Sequence, residues 1–380
     1  MGASLMAAAL ALPGLMALAP HGAQAESAPD QTTVGVKYLH YEDWQQYDPA
    51  QPRQSGARMK ANSPSAYWLA PVGSQLAVEG SVTLDSVSGA SPKYHNTLSG
   101  ASSKGYIDDR RKAIDIKATH FAGDASVGVG VAYSSEHDYT SKAVSANLRI
   151  NSADNNRTYA MGASLAVDTI NAVSAGVLDR HKRTWEFLAG VTQVLTPVDL
   201  AQVNVTYSSG RGYFSDPYKD QYGQDVRPNA RDQLAVLARY NHQFENLDAS
   251  LRTTARYYRD TFGVKALTVG AEWAQELTGG WTVTPSMRYG TQRAAFFYYD
   301  PPYPSGAGVQ AYYSADTRLS AFGAVTAGVK VEKTVGKASR VDVKVERYEQ
   351  RAAWHLSGPG SAGLLPLHAL FWQVGWSTRY

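Results

Sequence analysis

The sequence predicts an all-β fold, a single closed antiparallel transmembrane β-barrel of about sixteen strands, with fourteen to eighteen as the range. Three observations carry that expectation. Apolar and polar side chains alternate through most of the chain after Gln31, brief and long connections separate the alternating runs, and the chain ends on an aromatic, two-faced strand. No helical alternative competes. Beyond the N-terminal segment nothing approaches the ~18 uninterrupted apolar residues that a helical span needs, and a mean hydropathy of -0.33 is too polar for a helical membrane protein.

The first element is a secretory signal over residues 1–25, in which an apolar stretch from Leu5 to Leu18 precedes Ala23-Gln24-Ala25, so cleavage is expected after Ala25. The usual basic start is missing, because no Lys or Arg precedes His21. Residues 26–380 then form one barrel domain, and Glu26 to Gln31 are too few for a plug ahead of the first strand.

Alternation marks strands near 32–44, 63–71, 74–87, 107–122, 124–136, 139–151, 157–170, 181–195, 199–209, 231–244, 248–260, 262–277, 280–294, 315–333, 338–351 and 367–380. One of the clearest runs sets Ala125, Val127, Val129, Val131 and Tyr133 against Ser126, Gly128, Gly130, Ala132 and Ser134. Pro64 and Pro285 cannot donate to a ladder and weaken the strands that hold them. In the final strand Trp372, Val374, Trp376, Thr378 and Tyr380 share one face while Gln373, Gly375, Ser377 and Arg379 share the other. Trp372, Val374, Trp376 and Tyr380 read as the signal by which barrel-assembly machinery would receive the chain.

Connections after even strands are short, such as Pro71-Val72-Gly73 and Ala122-Gly123, while Trp44 to Asn62, Ser88 to Tyr106, Gly210 to Ala230, Ala295 to Ser314 and Ala352 to Pro366 are long. Outer-membrane barrels keep short turns in the periplasm, so both termini are expected there. The odd-numbered connections around His137 and Thr261 are short exceptions. Long segments such as Gly212 to Tyr218 and Tyr298 to Pro304 are rich in Tyr, Pro, Gly and Asp, as turns and interfacial aromatics are, with a stacking surface for a sugar as the functional alternative.

With no cysteine, the chain has no disulfide, thiolate metal site or cysteine nucleophile, and a net charge of +3 gives no sign of nucleic-acid binding. No cofactor is expected. Common enzyme signatures such as GxSxG and HExxH are absent. His137-Asp138 and His355 near Ser357 come nearest to a hydrolase and are expected as exposed loop histidines.

Period-two assignment sends Asp85, Asp115, Lys117, Arg149, Asp168, Glu186, Arg239, Arg252, Arg256, Glu272, Arg288, Asp342, Lys344, Glu346 and Arg379 inward. Such charges ordinarily pair or stay hydrated. The functional alternative is a wall of Arg239, Arg252, Arg256 and Arg288 that favours anions.

The most distinctive local feature is doubled: Ser88-Gly89-Ala90-Ser91-Pro92 is followed by Ser99-Gly100-Ala101-Ser102 and then by Asp108-Asp109-Arg110-Arg111. Small residues and serine hydroxyls suit a compact loop folded back into the barrel mouth. Together with Arg58-Met59-Lys60, SPSAYWLAPVG from Ser63 and DSVSGASP from Asp85, these segments resemble the markers of the domain-of-unknown-function 3570 family. The resemblance implies a bacterial outer-membrane barrel without an established activity or agreed catalytic residues. It also implies gene neighbourhoods that hold a small lipoprotein, a thioredoxin-like protein and a flavin transferase, with a small lipoprotein or a periplasmic redox protein as the expected partner. Outer-membrane lipid and lipopolysaccharide would be its surroundings. The expected activity is porin-like, passive passage of small hydrophilic solutes, narrowed by the Ser88 to Tyr106 loop. A non-conducting scaffold for an envelope redox or maturation system is the alternative, and an outer-membrane hydrolase is the remaining one.

Overall fold

The computed structural model describes residues 27–45, 59–90, 106–220, 225–300 and 311–380. The signal segment, the loop residues Ser91, Pro92, Ser99, Gly100, Ala101 and Ser102, and Pro301 to Pro304 lie outside the described residues.

Sixteen strands close into one antiparallel barrel, and two short strands pair with each other outside it. In chain order they are β1 (Thr33–Gln45), β2 (Met59–Val72), β3 (Leu76–Ala90), β4 (Tyr106–Ala122), β5 (Ala125–Ser135), β6 (Tyr139–Asn151), β7 (Arg157–Ala172), β8 (Val177–Thr196), β9 (Asp199–Gly212), β10 (Asp225–Val226), β11 (Ala230–Phe244), β12 (Ala249–Asp260), β13 (Lys265–Leu277), β14 (Trp281–Gln292), β15 (Tyr313–Ser314), β16 (Phe322–Val335), β17 (Ser339–Arg351) and β18 (Leu367–Arg379). Each barrel strand pairs with its sequence neighbour, skipping only β10 and β15, and β1 closes the circle against β18. The seam extends past both strands, where Thr32 and Tyr380 exchange two backbone hydrogen bonds of 3.0 Å. A closed ladder leaves no edge and satisfies strand amides and carbonyls without water.

Alternation decides which way each strand faces. On β5 the outward Val127, Val129 and Val131 are 51 to 58% exposed, while the inward Ser126 and Ser134 are buried. The outward apolar surface continues through Ile114, Ile116, Val144, Met161, Phe187, Val203, Met287 and Val343 to Val374 and Trp376 of β18. Trp372 lies on that same face against Tyr38, with ring centroids 5.3 Å apart. Short turns join the strands at one barrel end, as at Gly123, whose φ of 58° permits a tight reversal between β4 and β5.

The expected strand near 315–333 is corrected at its start: Tyr313–Ser314 form β15, residues 317–319 form a 3-10 turn, and β16 begins at Phe322. Asp316 terminates the extended run, because its carboxylate accepts the Arg318 amide and caps that turn. The strands expected at 157–170 and 181–195 are longer than predicted. β7 and β8 run on to a turn at Val173–Ala175, which Gly176 ends with φ at 66°. Both prolines sit inside strands. The β2–β3 pairing skips from Asn62↔Ser86 to Ser65↔Thr83 around Pro64, and β13–β14 skips from Glu272↔Ser286 to Gln275↔Val283 around Pro285. A proline interrupts the ladder locally, and the flanking pairs hold the strand.

Val129→Arg puts a charge at the middle of an outward apolar strand and is expected to destabilise the folded barrel by about 2–4 kcal/mol, whereas the inward Ser145→Arg stays within about 1 kcal/mol. Urea titration of protein folded into lipid vesicles measures both.

Candidate functional site

Two groups stand out among the inward charges. The first is paired. Arg111 of β4 donates from Nε to Asp85 of β3 at 2.6 Å, and the Ser63 hydroxyl of β2 donates to the same carboxylate. Three segments of the family-like pattern, SPSAYW, DSVSGASP and DDRR, thus meet on one patch of wall. Lys117 lies 2.7 Å from Glu79, Lys182 3.0 Å from Asp168, Lys344 3.0 Å from Glu346 and Lys330 3.2 Å from Glu332. Asp115 accepts from Ser81. Asp342 faces Gly375, where a Cβ would collide with its carboxylate. Three further charges stand opposite uncharged ladder neighbours and belong to neither group: Arg149 opposes Ser126 and Ala160, Glu186 opposes Ser164 and Ser208, and Arg379 opposes Thr33.

The second group is bare. Arg239 of β11, Arg252 and Arg256 of β12 and Arg288 of β14 occupy neighbouring inward positions, and among the described residues none has a carboxylate within 4.0 Å. Arg239 donates to Gln202 Oε1 at 3.4 Å, Arg288 donates to Thr326 Oγ1 at 3.4 Å, and Arg256 lies 5.3 Å from the Tyr258 ring centroid. Glu272 opposes Arg252 in the ladder without forming an ion pair. Thr254 and Gly270 lie in the row between Arg239 and Arg288, so no bulky side chain separates the two guanidiniums. In the strand order β12 stands eight places from β3, so this patch faces the Ser63–Asp85–Arg111 junction across the barrel. Clustered cations without an acid at salt-bridge distance raise the local potential and can hold a mobile anion.

A packed cap sits at the long-connection end, built from the segments after β9, β12, β14 and β17. Its apolar centre is Phe262, Val264, Ala295, Phe297 and Leu319, with Phe262 and Phe297 edge-to-face at 5.0 Å. Its polar centre joins β10 and β15. Arg227 bridges two fully buried carboxylates, donating from Nε to Asp225 at 2.8 and 2.9 Å and from Nη2 to Asp316 at 2.8 Å. Arg318 donates from Nε to Asp316 at 2.9 Å. Burial opposes the Arg227 charge, but Asp225 and Asp316 outweigh it and raise the pKa, and Asp316 does the same for Arg318. Lys219 is 2% exposed, and its ammonium has no hydrogen-bond partner among the described residues. Burial lowers its pKa, against the opposing pull of Asp316, Asp216 and Asp225.

Sequence periodicity missed this cap because its residues lie between strands. The available signal was a repeated Asp-x-Arg, Asp225-Val226-Arg227 and Asp316-Thr317-Arg318. Periodicity also omitted Glu79, Lys182, Lys330 and Glu332, which pair with residues that it did name or with each other. Of the doubled motif, Ser88, Gly89 and Ala90 end β3 opposite Asp108, Ile107 and Tyr106, while Asp109 and Arg110 oppose Val87 and Ser86. Neither histidine proposed for hydrolysis has a serine partner among the described residues: the His355 ring meets the Gly358 carbonyl at 3.2 Å, and Asp138 beside His137 accepts from Tyr218.

An edge-free barrel with an apolar exterior and a charged interior defines an outer-membrane-type β-barrel protein. The chain belongs to the DUF3570 family, described as protein of unknown function, whose model matches residues 2–181 and 175–371. Solved structures agree in fold. A bacterial polysaccharide outer membrane secretin aligns at a TM-score of 0.51 and 8% identity, over 91% of this chain and 98% of that one. CdiB from Acinetobacter baumannii gives 0.51 and 10%, over 90% and 60%. The siderophore receptor PirA from Pseudomonas aeruginosa gives 0.45 and 10%, over 85% of this chain and 57% of the receptor. No curated protein matches.

Asp316→Ala removes the carboxylate shared by Arg227 and Arg318. It is expected to weaken the cap by about 3–5 kcal/mol while the barrel persists, seen as faster chymotryptic nicking within 213–229 with heat-modifiable migration retained. The Lys219 pKa is lowered from 10.5, so an opened cap binds more protons than the closed one between the lowered value and 10.5. Cap stability therefore rises with pH across that window. Lys219→Met should flatten the rise, read as the variant-to-parent nicking ratio at each pH.

Proposed function

We propose that this protein is a porin-like passive channel for small hydrophilic solutes with a preference for anions, oriented with both termini in the periplasm and the long connections outside. The carrying observation is the wall of Arg239, Arg252, Arg256 and Arg288, which among the described residues has no carboxylate within 4.0 Å, while Lys117, Lys182, Lys330 and Lys344 on the same inner surface each have one. Paired charges contribute little net field to a passing solute. Unpaired guanidiniums at fixed positions attract an anion and repel a cation, and their geometry requires no rearrangement before the solute arrives.

Orientation has separate support. Outer-membrane barrels carry brief turns on the periplasmic side, and here both ends of the seam, Thr32 and Tyr380, lie at the short-turn end. Anion selectivity does not depend on binding a particular solute. It requires only that the row Arg239–Thr254–Gly270–Arg288 remain accessible from the interior.

Reversal potential in planar bilayers under a potassium chloride gradient tests the reading. The parent protein is expected to pass chloride in preference to potassium. Replacing all four arginines by alanine should reduce that permeability ratio about five-fold or more, equivalent to ~1 kcal/mol of differential electrostatic energy. Preference for potassium, or no conductance at all, would overturn the proposal and leave the scaffold as the better reading.

A further inference from the structure

The outer surface carries a second uncompensated cluster, on the opposite side of the same strands. Arg259 of β12 stands directly across from Lys265 of β13, and the Arg293 amide continues the ladder to the Lys265 carbonyl at 2.8 Å. All three residues are exposed. Their neighbours fix the direction, since Tyr258 and Asp260 point inward and hydrogen-bond each other, whereas the outward Tyr257 and Val269 are open. Three like charges therefore sit side by side, on β12, on β13 and on the residue that follows β14, at the long-connection end of the barrel and outside the wall.

Among the described residues no carboxylate lies within 4.0 Å of any of the three. The nearby acids are already occupied, Asp260 by Arg231 at 2.6 Å and Asp232 by Arg211 at 2.6 Å. Like charges directly opposite on a sheet destabilise it, so the row needs a counter-anion from outside the chain. One strand-step toward the barrel middle the surface turns apolar, with Tyr257 and Leu267 paired across β12 and β13. Basic side chains above and apolar ones below match a molecule that has an anionic head and acyl tails. At the other end the outward cations are engaged differently: Arg157 lies 6.0 Å from the Tyr159 ring and Lys333 4.8 Å from the Trp281 ring.

We infer that Arg259, Lys265 and Arg293 form a binding site on the outer wall for the phosphate groups of a phosphorylated glycolipid in the outer leaflet. Guanidinium forks chelate phosphate oxygens, the lysine ammonium adds a point charge between them, and Tyr257, Leu267 and Val269 contact the acyl chains. The inference rests on the orientation proposed above. It is independent of conductance, so its test can fail while the channel reading stands, and the reverse.

The test uses the full chain refolded in detergent and titrated with diphosphorylated lipid A, followed by the rise in the temperature of its heat-modifiable transition. The parent is expected to show a saturable rise. Arg259→Gln, Lys265→Gln and Arg293→Gln combined should weaken half-saturation on the order of 100-fold, about five-fold per charge removed, and Arg157→Gln with Lys333→Gln should leave it unchanged. Heat-modifiable migration before lipid addition shows that each variant is folded, and Arg293→Gln alone, outside any strand, repeats the test if the triple variant is not. Equal half-saturation for the Arg293 or triple variant, an equal rise with dephosphorylated lipid A or with inorganic phosphate alone, or equal weakening by the Arg157 and Lys333 changes would overturn the site.

Discussion

Backbone hydrogen bonding constrains everything else in this molecule. A chain in hydrocarbon cannot lend its amides and carbonyls to water, so a sheet there must close on itself. Closure commits each strand to a direction and hence each side chain to one of two faces. The same register that puts Val129 outside puts Gly130 inside, and the same register that turns Arg256 inward turns Tyr257 outward. The chemistry of the interior is therefore inseparable from the pairing of the wall. A one-residue slip would exchange the two surfaces.

Within that frame, charge is distributed unevenly. Around β3, β4, β7, β8, β16 and β17 the inward cations meet acids at salt-bridge distance. On β11 Arg231 likewise meets Asp260, but Arg239, Arg252, Arg256 and Arg288 do not meet an acid among the described residues. Pairing ties neighbouring strands together and removes net field, whereas four guanidiniums with no carboxylate at salt-bridge distance among the described residues repel one another and raise the local potential. The cap adds a third arrangement, in which buried acids and arginines cross-link two loops through β10 and β15. Burial makes those ion pairs sensitive to loss of one partner.

The barrel was legible because period-two alternation is a property of consecutive residues. Strand number and the closed antiparallel architecture follow from it. The start of β16 was misread because Ala315 to Ala321 contains enough apolar residues to imitate a strand, while the feature that ends the extension there, a carboxylate folding back on Arg318, is a local hydrogen bond with no periodic trace. The arginine wall could be anticipated as a cluster but not as an unpaired one. That distinction depends on which acids stand opposite across strands, and Glu79 with Lys117 or Asp168 with Lys182 become partners only through register. The cap was opaque for a related reason: Arg227 and Asp316 are 89 positions apart and belong to segments without repeating pattern.

The seam between β1 and β18 bears on how such a molecule comes into being. Thr33 finds its neighbour Arg379 only after the intervening circuit of strands has been laid down, the slowest kind of contact to form. Until that meeting, the nascent sheet keeps two raw margins, one of them lined by Trp372 and Trp376. Either margin could recruit a foreign strand. The hazard of misassembly is thus concentrated in two segments that look unremarkable once the circle is complete.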